Sequence, residues 1–481
     1  MFFNSLDFAI FLPIVFVLYW LIPKKKINSQ NLFIVAVSYI FYSWWNWRFL
    51  LLILISTIVD YIIGLALTKQ SIPGKRKTLL ITSLVVNLGL LGFFKYFNFF
   101  VDSFTSAFSF FGKELSANSL NIILPVGISF YTFQTLSYTL DIYRNKLKPT
   151  NNFIAFAAFV SFFPQLVAGP IERATNFLPQ FFTKRTFNYV QATNGLKQML
   201  WGLFKKVVIA DNCAEIVDYT FYHTDNLQGS ILAVGAILFT IQLYADFSGY
   251  SDIAIGTARL FGFNLKQNFA FPLFSKSIAE FWRRWHISLS TWLRDYLYIP
   301  LGGNRGGSWQ TMKNISLVFI FGSLWHGANW TFIVWGLINV AYFVTNIAFK
   351  NTYNTIKISS NLINTLINYG SILLTFCLTS LAFIVFRSEN LNHAFNYFNQ
   401  MFSSSLFSLP EFNQTSKIAN TTLMVLLLLC IEWNGKNNLY AIEKFGFDWN
   451  RLLRWCFYSF IIFLIGMYMQ TTFSPFIYFQ F

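Results

Sequence analysis

Residues 49–67 read FLLLILISTIVDYIIGLAL, an almost wholly apolar run. At 1.5 Å per residue, a helix of this length crosses the roughly 30 Å hydrocarbon core of a bilayer. Trp44, Trp45 and Trp47 lie just before it with Arg48, which is the composition expected where a chain passes through the headgroup layer. The run therefore predicts a transmembrane helix.

Similar runs recur along the 481 residues, of which 55% are hydrophobic and only 11% charged. A soluble domain carries about 25% charged residues as its water-facing shell. The sequence predicts an all-α polytopic membrane protein with about ten to twelve transmembrane helices. We interpret residues 1–481 as a single integral-membrane domain. Prolines and glycines interrupt the apolar runs after residue 153, which predicts re-entrant and interfacial helices there.

The formal net charge is +16, but the lysines and arginines are scattered between apolar runs. A nucleic-acid-binding domain needs its basic residues on one polar face, so no nucleic-acid partner is expected. The four cysteines are too few for a disulfide framework and lack metal-ligand spacing. We expect no metal and no bound cofactor.

Basic residues follow every second apolar run, whereas the loop around residues 102–114 is nearly neutral. Basic loops face the cytoplasm, which places the N-terminus outside. The first run, residues 6–22, has no small-residue cleavage site and predicts a retained helix. The basic residues of the three loops are Lys24, Lys25, Lys26, Lys75, Arg76, Lys77, Arg144, Lys146 and Lys148.

Residues 275–310 are polar overall but carry apolar residues at helical spacing. They fall within an arc of about 120°, which predicts an interfacial amphipathic helix. A glycine-rich loop containing Asn304 follows; it lacks the Lys-Ser/Thr of a phosphate-binding loop, and plain turn geometry is expected. The apolar stripe comprises Ile278, Phe281, Trp282, Trp285, Leu289, Trp292, Leu293 and Tyr296.

Three polar residues of this helix are candidates for function. His286 lies at the border of the stripe, so it is either a site residue facing the protein interior or an interfacial histidine with a water partner. Arg283 and Arg284 could meet phosphates of lipids or of a cofactor, and lipid headgroups are the favoured partner.

His326 lies in the motif SLWHGANW at residues 323–330. If Lys313 marks the interface, His326 is about 20 Å further along a helix, near the middle of the bilayer. An ionisable side chain at that depth predicts a functional site, with helix packing as the alternative. Its neighbours Trp325 and Asn329 are supporting candidates.

Two carboxylates occur in another apolar region, at Asp246 and Asp252 in the motif DFSGYSD. A carboxylate in a span costs about 2.5–3.5 kcal/mol on insertion scales and therefore needs a polar partner. Structural hydrogen bonding is the favoured role for both.

Several of these motifs together resemble the membrane-bound O-acyltransferase family, in particular the bacterial branch typified by alginate O-acetyltransferases. The resemblance covers nearly the whole chain. It is carried by FWRRWHISLSTW at residues 281–292, YIPLGGNR at 298–305, WHG at 325–327, FPQLVAGPI at 163–171, DFSGYSD at 246–252 and FIYFQF at 476–481.

The resemblance implies a helical bundle around a central funnel, with His326 catalytic and His286 a second functional residue. A histidine whose pKa lies near neutral pH can take a proton from an attacking hydroxyl while an acyl thioester is cleaved. The implied donor is acetyl-CoA or another acyl thioester, and the implied acceptor is an extracytoplasmic polysaccharide or peptidoglycan. The implied location is the bacterial cytoplasmic membrane, in contact with lipid.

Two other functions stay open from the sequence. One is D-alanyl transfer to teichoic acids, which the same family performs. The other is a polytopic transporter with a histidine proton relay, although the chain shows no internal repeat. No exported domain with a nucleophile motif is present, so we expect an extracytoplasmic or membrane-anchored partner, hydrolase-like, with a serine nucleophile.

Overall fold

The computed structural model describes residues 1–110, 120, 122–355, 361–412, 415–469 and 476–477. Throughout these residues the regular structure is helical, and no strand occurs among them. The all-α prediction is confirmed. Residues 102–110 of the nearly neutral segment belong to the helix Pro73–Phe110, which corrects the expectation of a loop there. Residues 111–114 and four residues of the C-terminal motif at 476–481 lie outside the described ranges.

Two compact units divide the chain, and the first comprises Met1–Leu196 and Ala254–Lys266. A 3-10 turn, Trp47–Phe49, separates its second and third helices. Its helices are α1 (Leu6–Leu21), α2 (Ile27–Asn46), α3 (Leu50–Lys69), α4 (Pro73–Phe110), α5 (Ile128–Tyr143), α6 (Phe153–Ser161), α7 (Phe163–Leu166), α8 (Ala174–Phe177) and the start of α9 (Tyr189–Leu203).

The carboxylate within the opening apolar run is stabilised inside the first unit. Asp60 on α3 is fully buried and accepts hydrogen bonds from Ser83 Oγ at 2.5 Å, Asn87 Nδ2 at 2.9 Å and Thr139 Oγ1 at 3.1 Å. A buried carboxyl survives in a span when donors surround it, so this network ties α3, α4 and α5 together.

The second unit comprises Lys197–Ile253 and Gln267–Phe481. Two π-helical segments, Phe204–Ala210 and Arg294–Tyr298, lie within it. Its helices are the rest of α9, α10 (Asp211–Tyr222), most of α11 (Gly229–Leu260), α12 (Ile278–Arg284), α13 (Ile287–Leu293), α14 (Gly307–His326), α15 (Trp330–Thr355), α16 (Asn361–Arg387), α17 (Leu391–Met401), α18 (Thr415–Gly435) and α19 (Arg451–Tyr468).

Six helical stretches among the described residues are long and apolar enough to cross a membrane. They are fewer than the expected ten to twelve, because runs such as residues 153–167 are built from short helices and residues 196–210 contain a π-helical segment. The multi-pass membrane class is confirmed. The six stretches are Ile27–Lys69, Pro73–Ser109, Gly229–Leu260, Leu362–Arg387, Thr415–Gly435 and Arg451–Tyr468, with Leu6–Leu21 and Trp330–Thr345 as shorter apolar helices.

Candidate active site

The predicted amphipathic helix is broken, which corrects the expectation of one continuous helix between residue 275 and Pro300. Helix α12 ends at Arg284, α13 begins at Ile287, and a π-helical segment follows from Arg294. The apolar stripe is nevertheless directed inward, because six of its eight residues are buried and the other two, Trp282 and Tyr296, are partly buried.

The break places His286 in a left-handed backbone conformation, with φ of 42°. Such a conformation is uncommon for a residue other than glycine and persists when its surroundings hold it. Asn268 stabilises this conformation, because its main-chain carbonyl accepts a hydrogen bond from Ile287 N at 2.9 Å. Its side-chain Oδ1 also accepts from Ser288 N at 3.2 Å and Ser288 Oγ at 2.8 Å.

His326 is the last residue of α14, and the chain turns immediately after it. Gly327 permits this turn, because a Cβ atom there would lie 2.0 Å from the Phe332 ring. The His326 imidazole packs edge-on against Trp335, with centroids 5.4 Å apart, and against Phe386 at 5.7 Å.

The fold brings the two histidines together. Their ring centroids lie 6.3 Å apart at an interplanar angle of 71°, and the Trp325 ring contacts both, at 5.6 Å and 5.2 Å. His286 is 1% exposed and His326 is 7% exposed. Burial lowers the pKa of His286 to about 3, so its imidazole is neutral at physiological pH.

A cavity of about 320 Å³ opens beside His326, within the size range of small-molecule sites. His326 lines it and His286 does not, so a bound molecule meets His326 first. The lining combines aromatic and aliphatic side chains with two arginines. The polar or charged residues of the lining are Arg283, Ser290, Arg294, Tyr298, Ser323 and His326.

Two buried lysines satisfy the carboxylates of the DFSGYSD motif. Lys206 Nζ lies 2.7 Å from Asp246 Oδ1 and 2.8 Å from Asp211 Oδ1, and Lys205 Nζ lies 2.5 Å from Asp252 Oδ2. A structural role for Asp246 and Asp252 stays a prediction. Sequence reasoning missed both lysines, although adjacent lysines within an apolar run were the signal.

Close helix packing makes these ion pairs possible. A Cβ atom on Gly202 of α9 would lie 2.6 Å from the carbonyl oxygen of Gly249 on α11, and one on Gly249 would lie 2.8 Å from that of Gly202. Any side chain at either position would push the backbones apart. The two glycines therefore hold the lysine segment against the DFSGYSD motif.

The other candidate residues lie around the site in different roles. Arg283 is exposed and lines the cavity, whereas Arg284 pairs with Glu280 at 2.6 Å. Asn329 caps α15 by accepting from Thr331 N at 3.0 Å. Asn304 is exposed in the glycine-rich loop, where Gly302, Gly303 and Gly307 adopt positive φ, and it does not line the cavity.

No group of three or more His, Cys, Asp or Glu residues that could hold a metal ion occurs in the described part of the chain. The side chains that line the cavity can themselves supply acid–base and anion-binding chemistry. A neutral imidazole there can accept a proton from a hydroxyl, and the cationic arginines can bind phosphate or carboxylate groups.

The chain belongs to the membrane-bound O-acyltransferase family, whose sequence model matches residues 39–388. It is therefore an O-acyltransferase, and the transporter alternative is not supported. It is 41% identical to the probable alginate O-acetylase AlgI of Azotobacter vinelandii, over 90% of this chain and 84% of that protein.

The names of two further relatives state a different acceptor or a different transferred group. A peptidoglycan O-acetyltransferase of Helicobacter pylori is 34% identical over 98% of this chain and 95% of its own length. A teichoic acid D-alanyltransferase of Bacillus subtilis is more distant, at 28% identity over 57% of this chain and 71% of that protein.

Proposed function

We propose that this enzyme transfers an acetyl group from a cytoplasmic thioester, acetyl-CoA, toward hydroxyls of an extracytoplasmic polysaccharide or peptidoglycan. The observation that carries the proposal is the position of His326 on the wall of a cavity of about 320 Å³, beside Arg283 and Arg294. The two O-acetyltransferase relatives described above align over 90% and 98% of the chain, whereas the D-alanyltransferase aligns over 57%. Acetyl is therefore the favoured acyl group.

His326 acts as the general base. Its imidazole takes the proton of the attacking hydroxyl as that oxygen forms an ester bond to the acyl carbon. The thioester C–S bond breaks, and the proton passes from His326 to the departing thiolate. Arg283 and Arg294 bind the phosphates of the donor, since guanidinium groups form charge-assisted hydrogen bonds to phosphate oxygens.

His286 is proposed as a positioning residue behind His326. Its burial keeps it uncharged, so it does not compete with His326 for the proton. Trp325, which contacts both imidazoles, fixes the angle between them. Asn268 maintains the backbone that places His286 there.

The immediate acceptor is proposed to be a serine hydroxyl of a separate extracytoplasmic or membrane-anchored protein. That hydrolase-like partner then passes the acyl group to the polymer. The proposal rests on two expectations, a cytoplasmic donor and an acceptor polymer outside the membrane, which leave a carrier to link the two. The proposed location is the bacterial cytoplasmic membrane. The basic segments support an orientation with the N-terminus outside.

The direct test is a donor competition in membrane vesicles that contain the enzyme. Acetyl-CoA and a D-alanyl thioester carrier, each with a labelled acyl group, are supplied on the cytoplasmic face. We expect label from acetyl-CoA in the acceptor fraction, and loss of that label in the His326→Ala variant. Transfer of the D-alanyl label alone would replace acetylation by D-alanylation.

A further inference from the structure

Helix α17 presents three different faces. At 100° per residue, Leu391, Phe395, Phe398 and Phe402 fall within an arc of about 60°. Leu391 is 41% exposed, Phe395 64% and Phe402 60%. A second face is buried and a third carries only asparagines. The buried residues are Ala394, Tyr397 and Met401, and the asparagines are Asn392, Asn396 and Asn399.

Hydrogen bonds fix the orientation of this helix within its unit. Tyr397 Oη donates to the Leu232 carbonyl at 2.8 Å, and Gln400 Nε2 donates to the Leu227 carbonyl at 2.8 Å. Just beyond the helix, Ser405 Oγ accepts from Gly229 N at 2.8 Å. The buried face is thus held in place, and the phenylalanine face is directed away from its own unit.

The apolar surface continues past the helix, where Phe407 is 91% exposed and Leu409 is 86% exposed. This segment connects α16 and α18, both of which are long and apolar enough to cross the membrane. The chain between them leaves the bilayer and returns to it within residues 388–414. Such a connection lies at the membrane surface, so its apolar face is continuous with the lipid-facing surface of the two spans.

The charge pattern indicates on which side of the membrane this connection lies. Residues 388–414 contain no Lys or Arg, whereas the connection at the other end of α18 carries Lys436 and Lys444, followed by Arg451 and Arg454. Short loops rich in Lys and Arg face the cytoplasm. The α17 end of the two spans is therefore the extracytoplasmic end.

We propose that α17 is an in-plane interfacial helix whose phenylalanine face enters the extracytoplasmic leaflet of the bilayer. Its asparagine face lies toward water, and its buried face binds its own unit. The helix itself carries no basic residue, so insertion depends on apolar contact with the acyl chains rather than on attraction to anionic headgroups.

The placement of α17 also determines the depth of His326 in the bilayer. The His326 ring contacts Phe386, one residue before the end of α16. Three residues after His326, Asn329 Nδ2 donates to the Glu389 carbonyl at 2.8 Å, in the turn that leads into α17. His326 therefore lies near the extracytoplasmic end of α16 and not at the middle of the bilayer. This inference is independent of which acyl group or acceptor the enzyme uses.

The test measures depth at single labelled positions in the full-length protein. Cys377, Cys430 and Cys456 are exposed and are replaced by serine, while buried Cys213 stays. Phe395→Cys and Phe402→Cys are then labelled with an environment-sensitive dye in phosphatidylcholine vesicles. Asn396→Cys on the asparagine face is the matched control, because it lies on the same helix and its residue is also exposed.

We expect nitroxide-bearing lipids to quench the dye at both phenylalanine positions and aqueous iodide to quench it at residue 396. The result should be the same when phosphatidylglycerol is added to the vesicles. Iodide quenching at all three positions would overturn the proposal. The phenylalanine face would then be exposed to water and available to a protein partner. In intact cells an impermeant maleimide should label Asn396→Cys, and labelling only after the cells are opened would overturn the extracytoplasmic placement.

Discussion

The Phe247 ring packs edge-on against the His286 imidazole, with centroids 4.8 Å apart at an interplanar angle of 77°. The preceding residue on α11, Asp246, is paired with Lys206. One segment of α11 therefore carries both a contact to the candidate site and a buried ion pair. A substitution that disrupts the ion pair is therefore expected to shift Phe247 and, with it, the position of the His286 ring.

His326→Ala should lower acyl transfer by about 10²–10⁴-fold, because it removes the proposed general base. The rate is measured in vesicles at matched protein abundance. His223→Ala is the control, since His223 is exposed and lies outside the cavity lining. Near-normal transfer by the His326 variant would remove this residue from the mechanism.

His286 should make the enzyme sensitive to acid. The folded protein keeps this ring neutral down to a pKa of about 3, whereas the unfolded chain takes a proton below about 6.5. Protons therefore favour the unfolded state between these values, and stability falls by up to about 1.4 kcal/mol per pH unit as the pH drops. No such contribution exists above pH 6.5.

The measurement is the thermal unfolding midpoint in detergent at pH 7 and at pH 5. His286→Gln should lose less stability than the parent enzyme over this interval, because glutamine does not titrate. Equal losses in the two proteins would show that His286 is not the group responsible.

Lys206→Met should destabilise the protein by about 3–5 kcal/mol, because it leaves the buried carboxylates of Asp246 and Asp211 without their cation. Lys417→Met is the control. Lys417 pairs with Glu215, but both side chains are partly exposed, at 31% and 47%, and surface pairs contribute about 0–1 kcal/mol. Thermal unfolding of both variants in detergent measures the difference, and similar losses would contradict a special role for the buried pair.

The three basic segments are expected to face the cytoplasm, and the second of them, Lys75 to Lys77, lies at the start of α4. Lys25→Cys, Lys77→Cys and Lys146→Cys, each without the exposed native cysteines, should resist an impermeant maleimide added to intact cells and react once the cells are opened. Positive charge near the ends of spans is the physical basis. Strong labelling of any one of them from outside would break the predicted orientation.

Purified enzyme given acetyl-CoA and a candidate polymer should not acetylate the polymer. We expect this result because the proposed acceptor is a serine hydroxyl of a second protein outside the membrane. Mass spectrometry of the polymer provides the readout, with membranes that contain all native proteins as the positive control. Robust acetylation by the enzyme alone would make the partner unnecessary.

The sequence determined the features that depend on composition and on neighbours within a helical turn. Its scarcity of charge predicted a helical membrane protein, and its apolar spacing predicted the inward-facing stripe around Trp285 and Leu289, both of which are buried. The motif around His326 indicated the family. These signals are local, because side chains three or four residues apart share a helix face.

The tertiary structure alone decided the rest. Asn268 stabilises the break at His286. The carboxylates of Asp246 and Asp252 pair with lysines that are 40 and 47 residues away in the chain. Local spacing predicted a continuous helix through His286 because the hydrogen bonds that interrupt it come from outside that helix. Partners brought together by packing leave no periodic signal in the sequence, so the cavity and the buried ion pairs form only when the helices are assembled.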